Sequence, residues 1–366
     1  MSDRKLAILG IVAVLMAGWA ILQNRISQNT NTTDFSSSPL IEGLQIEAVS
    51  AITITSEKGA QTTTLNRAGG GFVVAEKDDY PADITKINSL INNCLDIRTH
   101  EKVTDSQDNH ADLGVTEETA RYRIAFLNSE GGEIVGFFVS KSNEDGIAFT
   151  RLEGRNEVYS IQQPPFISTK PMDYVDSELC KVSKNQISSV TVKTGKDSYV
   201  LTASGDKSDI VLQAMPAGKQ FKGTAYRSVF GTLSSLRFED VMKVASAPGD
   251  LNFDSTYTCQ LDDKTIYTLL LAKAGEKTYA KVSADYPDKT PVQKTVGQVE
   301  SEEELKAKEA KLLATDAVKA FNEKHQGWVY QIPSYKAGDL TKPLSELVED
   351  APKPEEPAES ADPNKA

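Results

Sequence analysis

Apolar and polar residues alternate through Val49-Ser50-Ala51-Ile52-Thr53-Ile54 and again through Ile187-Ser188-Ser189-Val190-Thr191-Val192. A period of two marks a strand with one face buried. Each run is followed, after a glycine-containing turn, by a second strand-like run, Gln61 to Asn66 and Ser198 to Ala203, which predicts a hairpin. The period then becomes helical. Ile87, Leu90, Ile91, Cys94 and Leu95 mark one apolar face in the first stretch, and Val229, Phe230, Leu233 and Leu236 mark one in the second.

Strand patterns resume in both stretches. Tyr122, Ile124 and Phe126 match Tyr257, Cys259 and Leu261, and Gly136 to Lys141 matches Thr268 to Lys273. Ala148 to Leu152 matches Thr278 to Val282, and Val158-Tyr159-Ser160-Ile161 matches Val329-Tyr330-Gln331-Ile332. Each unit closes on a Thr-Lys-Pro step, at Thr169-Lys170-Pro171-Met172 and Thr341-Lys342-Pro343-Leu344. The pattern predicts an α+β protein of two tandem copies: strand hairpin, helix, then antiparallel strands. The first repeat domain spans 42–176 and the second 177–348. Superposition should pair Ile52 with Val190, Ile124 with Cys259, and Tyr159 with Tyr330.

The spacing between copies drifts from 138 to 130 and then jumps to 171, so the second copy carries an insertion over 286–326. Its centre, Glu302 to Lys324, has helical composition, with Leu305, Leu312, Leu313, Ala317, Ala320 and Phe321 on one face. Glu300 and Glu302 to Glu304 crowd its first turn, where the helix dipole favours negative charge. Apolar stripes at this spacing pack on their own chain more often than on a partner.

Ahead of the repeats, Leu6 to Gln23 is apolar except for its last residue. At ~1.5 Å per residue it extends about 27 Å, close to the hydrocarbon thickness of a bilayer. Arg4 and Lys5 precede it, which by the positive-inside rule leaves the N-terminus in the cytoplasm and the rest outside. Residues 1–23 therefore read as a cytoplasmic tip and uncleaved anchor. A cleaved signal peptide, with Gly18-Trp19-Ala20 as its cleavage site, is the competing reading. Ala7, Gly10, Ala13, Ala17 and Ala20 stack on one small-residue stripe of the span, a helix-packing face of the kind that lets another membrane helix approach closely. Residues 24–41, rich in Asn, Thr and Ser, read as a flexible stalk, and 349–366, with six acids against two lysines, as a disordered acidic tail.

Charge narrows the partners. The chain of 366 residues carries a net charge of −12. Beyond Lys5 it has 38 basic against 51 acidic residues, a net −13, which disfavours both nucleic acid and anionic lipid headgroups as direct ligands. Candidate chemistry is sparse. Cys94 and Cys259 stand opposite Leu233 and Ile124 in the other copy, as small core hydrophobes would. Cys180 lies between the copies, and the three cysteines form neither a zinc motif nor a disulfide framework. Asp105 to Asp112 begins like a calcium loop, but Leu113 stands where such a loop needs Gly and Thr119 where it needs Glu. Gly69-Gly70-Gly71 reads as a turn. His100, His110 and His325 are scattered, and no nucleophile elbow, metalloprotease or phosphate-loop motif occurs. No catalytic, metal or cofactor site is predicted.

Tyr80-Pro81-Ala82-Asp83 before the helix, Leu113-Gly114-Val115 after it, then Phe149-Thr150-Arg151, Val158 to Ile161 and Tyr174-Val175-Asp176 resemble domain-of-unknown-function family 4340 over about 42–176. Phe72 stands where the family usually has Trp, and Val115 where it usually has Leu. The resemblance implies a bacterial envelope protein, anchored in the inner membrane with its bulk in the periplasm or extracytoplasmic space. It also implies genetic proximity to ABC transporters of the gliding type. The function expected is a non-enzymatic scaffold or accessory subunit whose partners are integral membrane proteins, ABC transporter subunits among them. The alternative is a binding or hydrolytic module acting on a cell-wall or polysaccharide ligand. With aromatics at 7% and Trp at 19 and 328 only, the chain is poor in the residues that line glycan clefts.

Overall fold

The computed structural model describes residues 37–195, 197–292 and 301–352. In chain order its main elements are β1 (Ala51–Ser56), β2 (Thr62–Ala68), β3 (Gly71–Val74), β4 (Tyr80–Pro81), α1 (Ile84–Leu95), β5 (Lys102–Thr104), β6 (Tyr122–Leu127), β7 (Glu133–Val139), β8 (Ile147–Leu152) and β9 (Val158–Gln162). There follow β10 (Ile187–Thr194), β11 (Asp197–Ala203), β12 (Ile210–Leu212), α2 (Ala225–Phe230), β13 (Asp240–Lys243), β14 (Ser255–Leu261), β15 (Ile266–Ala274), β16 (Lys277–Asp285), α3 (Glu302–His325), β17 (Trp328–Ile332), α4 (Ser334–Leu340) and α5 (Leu344–Leu347). Mixed helices and antiparallel sheets make this an α+β protein.

The chain divides into two compact units. One comprises the residues up to Thr62 with Asn88–Thr169, the other Thr63–Ile87 with everything from Lys170 on. These units are a different partition from the sequence repeats, because 63–87 counts with the second.

In the first unit the strands run β1-β6-β7-β8-β9-β5, each antiparallel to its neighbour. Alternation sends Ile52, Ile54, Ile124, Phe126, Phe137, Val139 and Ile161 into the core, where Leu90, Ile91 and Cys94 of α1 are also buried. Phe138 points the other way, into a smaller cluster with Val115, Ala120 and Val158. The chain is already part of this unit at Ser38. Ser38–Pro39 pairs with Arg98–Thr99, and Leu40 and Ile41 are buried, so the expected stalk ends at least four residues early. Two large apolar side chains in succession are the reason.

In the second unit the order is β12-β11-β10-β14-β15-β16-β17-β13, again antiparallel throughout. β2, β3 and β4 form a meander. Gly69 and Gly70, at φ +56° and +86°, make the two-residue loop that lets Ala68 face Gly71. The next turn carries Asp78 and Asp79 at φ 54° and 61°. It is clamped to edge strand β13: Lys77 Nζ lies 2.7 Å from Asp240 Oδ1, and Lys243 N–H donates to Asp78 Oδ2 at 2.8 Å. Asp83 then starts α1, accepting from Thr85 N–H at 2.9 Å as its N-cap. At the far end, Val348–Asp350 pairs with Lys219–Phe221, so the expected tail is bonded through Asp350.

Strand order is common to β1-β6-β7-β8-β9-β5 and β10-β14-β15-β16-β17-β13. Ladder register corrects one expected correspondence. Ile52 faces Phe126, whereas Val190 faces Cys259, so Phe126 and not Ile124 occupies the place of Cys259. A slip of two keeps every side chain on its face, which is why the hydrophobic pattern does not reveal it. Tyr159 faces Thr150 and Tyr330 faces Ala280, the correspondence expected for these tyrosines.

Two helices differ from expectation. Val229, Phe230, Leu233 and Leu236 do not share one helix: α2 stops at Phe230, a 3-10 turn takes Thr232–Ser235, and Leu236 pairs in a short strand. Thr232 Oγ1 bonds back to Ser228 O at 2.8 Å, and Tyr257 OH occupies Val229 O at 2.7 Å, claiming carbonyls that a continuing helix would use. α3 begins at the expected place through a capping box between Ser301 and Glu304. Its inward face is different. Ala314, Val318 and His325 are buried, while Leu305, Leu312 and Leu313 are 53%, 50% and 63% exposed. Asn322 fixes the orientation, since its amide both accepts from Ala284 N–H and donates to Ala284 O, each at 2.8 Å.

Candidate functional site

The stripe Ala7, Gly10, Ala13, Ala17 and Ala20, and the span Leu6 to Gln23 that carries it, lie outside the described residues. Among the described residues no helix is long and apolar enough to cross a membrane.

The densest polar and aromatic constellation lies in the second unit. α3 delivers Phe321 and His325, β17 delivers Trp328 and Tyr330, and β4 delivers Tyr80. Tyr80 meets Trp328 edge-on at 4.8 Å between ring centroids, and Phe238 lies 4.8 Å from Tyr330. His325 Nδ1 sits 2.7 Å from Tyr330 OH. The Tyr80 hydroxyl is buried without a partner at hydrogen-bond geometry, although Tyr330 is near enough to affect its titration. Outside the cluster opens a cavity of about 300 Å³, lined by Tyr80, Asp83, Asp176, Glu323, Lys324 and Trp328. Lys324 and Asp176 face each other across 3.5 Å at its rim.

Electrostatics decide what this cluster can do. Burial, with help from Lys324, pulls the His325 pKa down to about 4. Burial also raises Tyr330 and Tyr80. At neutral pH the imidazole is uncharged and both phenols keep their protons. A general acid or base works best with a pKa near the working pH, and all three are displaced away from it. The cysteines follow the same rule: burial pushes Cys94, Cys180 and Cys259 up to about 12, which leaves almost no thiolate to act as nucleophile. All three are free and buried.

In the first unit, two carboxylates do come together. Arg123 bridges Glu133 at 2.6 Å and Glu153 at 2.7 Å. Glu133 is raised by burial and by Glu153 beside it. A guanidinium fills the space between them, where a glycosidase would need room for a sugar.

The motif residues of the same unit are engaged in structure. Gly114 holds φ +68°, and a Cβ there would come 3.2 Å from Ser140 Cβ. Val115 O accepts from Arg151 Nε at 3.1 Å and Nη2 at 3.0 Å, while the guanidinium lies over Phe138 at 4.8 Å. Thr150 Oγ1 donates to Phe138 O at 2.9 Å. The Asp105 to Asp112 segment makes a 3-10 turn at Gln107–Asn109, and His110 is buried with Nε2 2.9 Å from Asn156 O. Among the described residues no group of three or more His, Cys, Asp or Glu could hold a metal ion.

Sequence reasoning missed the Tyr80–Tyr330–His325 cluster. One local signal was available: His325 and Tyr330 flank Gly327, whose φ of +85° turns the chain back so that helix end and strand start meet.

The family model described as Domain of unknown function (DUF4340) matches residues 73–260. No curated protein matches the chain, and no solved structure does.

Proposed function

The chain belongs to the DUF4340 family of domains of unknown function, and from that membership we propose that it is a non-enzymatic accessory subunit or scaffold of an envelope membrane complex. In this reading Leu6 to Gln23 anchors it in the inner membrane, and its bulk lies outside the cytoplasm. Its partners are integral membrane proteins, with an ABC-type transporter the complex to seek first.

One observation carries the non-enzymatic reading: the Tyr80 hydroxyl apart, the polar side chains of the family resemblance bond to the chain's own backbone. Asp83 caps a helix, Arg151 holds the Val115 carbonyl, Thr150 holds that of Phe138, and Tyr80 packs on Trp328. Catalytic signatures leave functional atoms free to face a substrate. These face inward.

We also read the chain as a tandem duplication. The shared strand order supports it, as do ladder registers that keep four strands in step with the sequence offsets and shift a fifth by two. The 42 residues between β16 and β17, against five between β8 and β9, then represent an insertion into one hairpin of the second copy.

The anchor stripe is the proposed contact with a partner helix. Replacing Gly10 and Ala17 with Leu keeps the span apolar but blocks close approach, and Leu9→Ile with Leu15→Ile is the matched control. A contact of about 1–2 kcal/mol makes the stripe variant recover membrane partners severalfold less well in detergent copurification. Equal recovery by variant and control would remove the stripe from the interface. Purification of the intact chain without membrane partners, together with glycan hydrolysis, would overturn the scaffold reading.

A further inference from the structure

In the first unit, a short loop after β9 holds a large aromatic side chain out in solvent. Phe166 is 75% exposed, although its neighbour Ile167 is buried. The backbone on either side is fixed. Gln163 sits at φ 52°, Pro164 and Pro165 stiffen the chain, and Tyr122 OH donates to Pro165 O at 2.6 Å. Asn93 Nδ2 reaches Phe166 O at 3.4 Å. Tyr122 is itself buried, so this loop is tied to the core and not merely draped over it. A rigidly presented aromatic loses little conformational freedom on insertion into a second surface.

The position of the loop names that surface. The first described residue, Ser37, lines the same cavity of about 410 Å³ as Arg98 and Gln162 to Pro165. Ser37 therefore lies in the same cavity as Pro164 and Pro165, the residues that lead into Phe166. Only residues 24–36 separate Ser37 from the end of the apolar span at Gln23. Even fully extended, at ~3.5 Å per residue, they cover about 45 Å. The loop is thus tethered within reach of the bilayer, where effective concentrations on the order of millimolar allow a weak contact to be occupied. An exposed aromatic suits the interfacial zone, with its ring at headgroup depth, and Arg98 lines the cavity next to the Pro164-Pro165 step. Asp96 shares the rim and offsets Arg98, so the contact rests on the apolar ring more than on anionic lipid.

We propose that the Pro164-Pro165-Phe166 loop is a membrane-contacting foot that seats the first unit on the outer leaflet of the bilayer holding its own anchor. This rests on the proposed anchor at Leu6 to Gln23. It makes the anchored chain an oriented module, standing on the lipid surface in a defined attitude instead of swinging on its tether.

Nitroxide labelling of the full chain in phosphatidylcholine vesicles tests it. The native thiols are all buried, so single variants F166C, L15C and E130C can be labelled in turn. Glu130 lies in the turn at the far end of the β6–β7 hairpin from Tyr122 and serves as the aqueous control. Collision with oxygen relative to a water-soluble nickel chelate should be severalfold higher at 166 and 15 than at 130. Lipid-like values at 15 with water-like values at 166 overturn the foot and leave the anchor standing. Water-like values at 15 overturn the anchor, and the foot with it. A label at 166 shielded from both reagents shows a protein partner on the loop, which also overturns the proposal.

Discussion

Burial of His325 leaves a titration mark on stability. Its pKa of about 4 in the fold lies below the ordinary histidine value of 6.5, so the folded state binds fewer protons than the unfolded chain between those values. Stability is therefore full above pH 6.5 and lost as pH falls toward 4. From pH 7.5 to 5 the loss is about 2 kcal/mol for this group alone. His325→Phe should flatten that part of the profile in urea unfolding. At pH 7.5 the variant should itself be about 1–3 kcal/mol less stable, because Tyr330 OH loses its partner in a dry site. An unchanged pH slope would show that the imidazole is not the group responsible. At this scale the sequence disclosed the cysteines, because exchange with apolar residues between copies betrays a core position. His325 stayed hidden because Tyr330, its hydrogen-bond partner, belongs to an aromatic cluster completed by Tyr80, which no local pattern brings there.

On the scale of one element, α3 separates what patterns reveal from what partners decide. Its start was legible in the acidic first turn, and its extent in the helical composition. The inward face was not. Leucine spacing pointed to Leu305, Leu312 and Leu313, yet Asn322 meets both backbone groups of Ala284, and Ala314, Val318 and His325 are the side chains buried. A polar clamp of two hydrogen bonds can set the rotation of a helix whose apolar residues are spread around its circumference. Asn322→Ala should cost about 1–3 kcal/mol by leaving the Ala284 N–H and carbonyl without partners. Leu312→Ala with Leu313→Ala should cost under about 0.5 kcal/mol, since both side chains are largely solvated. Chemical denaturation of the two variants checks the order. A larger loss from the leucine pair would mean that the outer face is packed in solution.

For the molecule as a whole, strand succession was legible because alternating runs recur in the same order. The division into compact units was not. Residues 63–87 read as part of the first repeat, but several of their side chains bond to groups distant in sequence: Lys77 with Asp240, Asp78 with Lys243 and Ser246, Tyr80 with Phe238 and Trp328. Polar side chains in a turn carry no sign of where their partners lie. The consequence concerns where the chain can be cut. A break between Asp176 and Ser177 follows the repeat boundary yet leaves 63–87 on the N-terminal piece. The C-terminal piece would then expose edge strand β13 and the Trp328–Tyr330 aromatic surface that Tyr80 covers. Unpaired edges and bare aromatic faces promote aggregation. Residues 177–366 produced alone should be aggregated or much less stable than the same unit in the intact chain. Coproduced with 1–176, the two pieces should purify together, and Asp78→Ala with Tyr80→Ala should weaken their association severalfold or more. A monomeric 177–366 piece with the melting behaviour of the intact unit would show that the 63–87 segment is dispensable, and that sequence repeat and folding unit coincide after all.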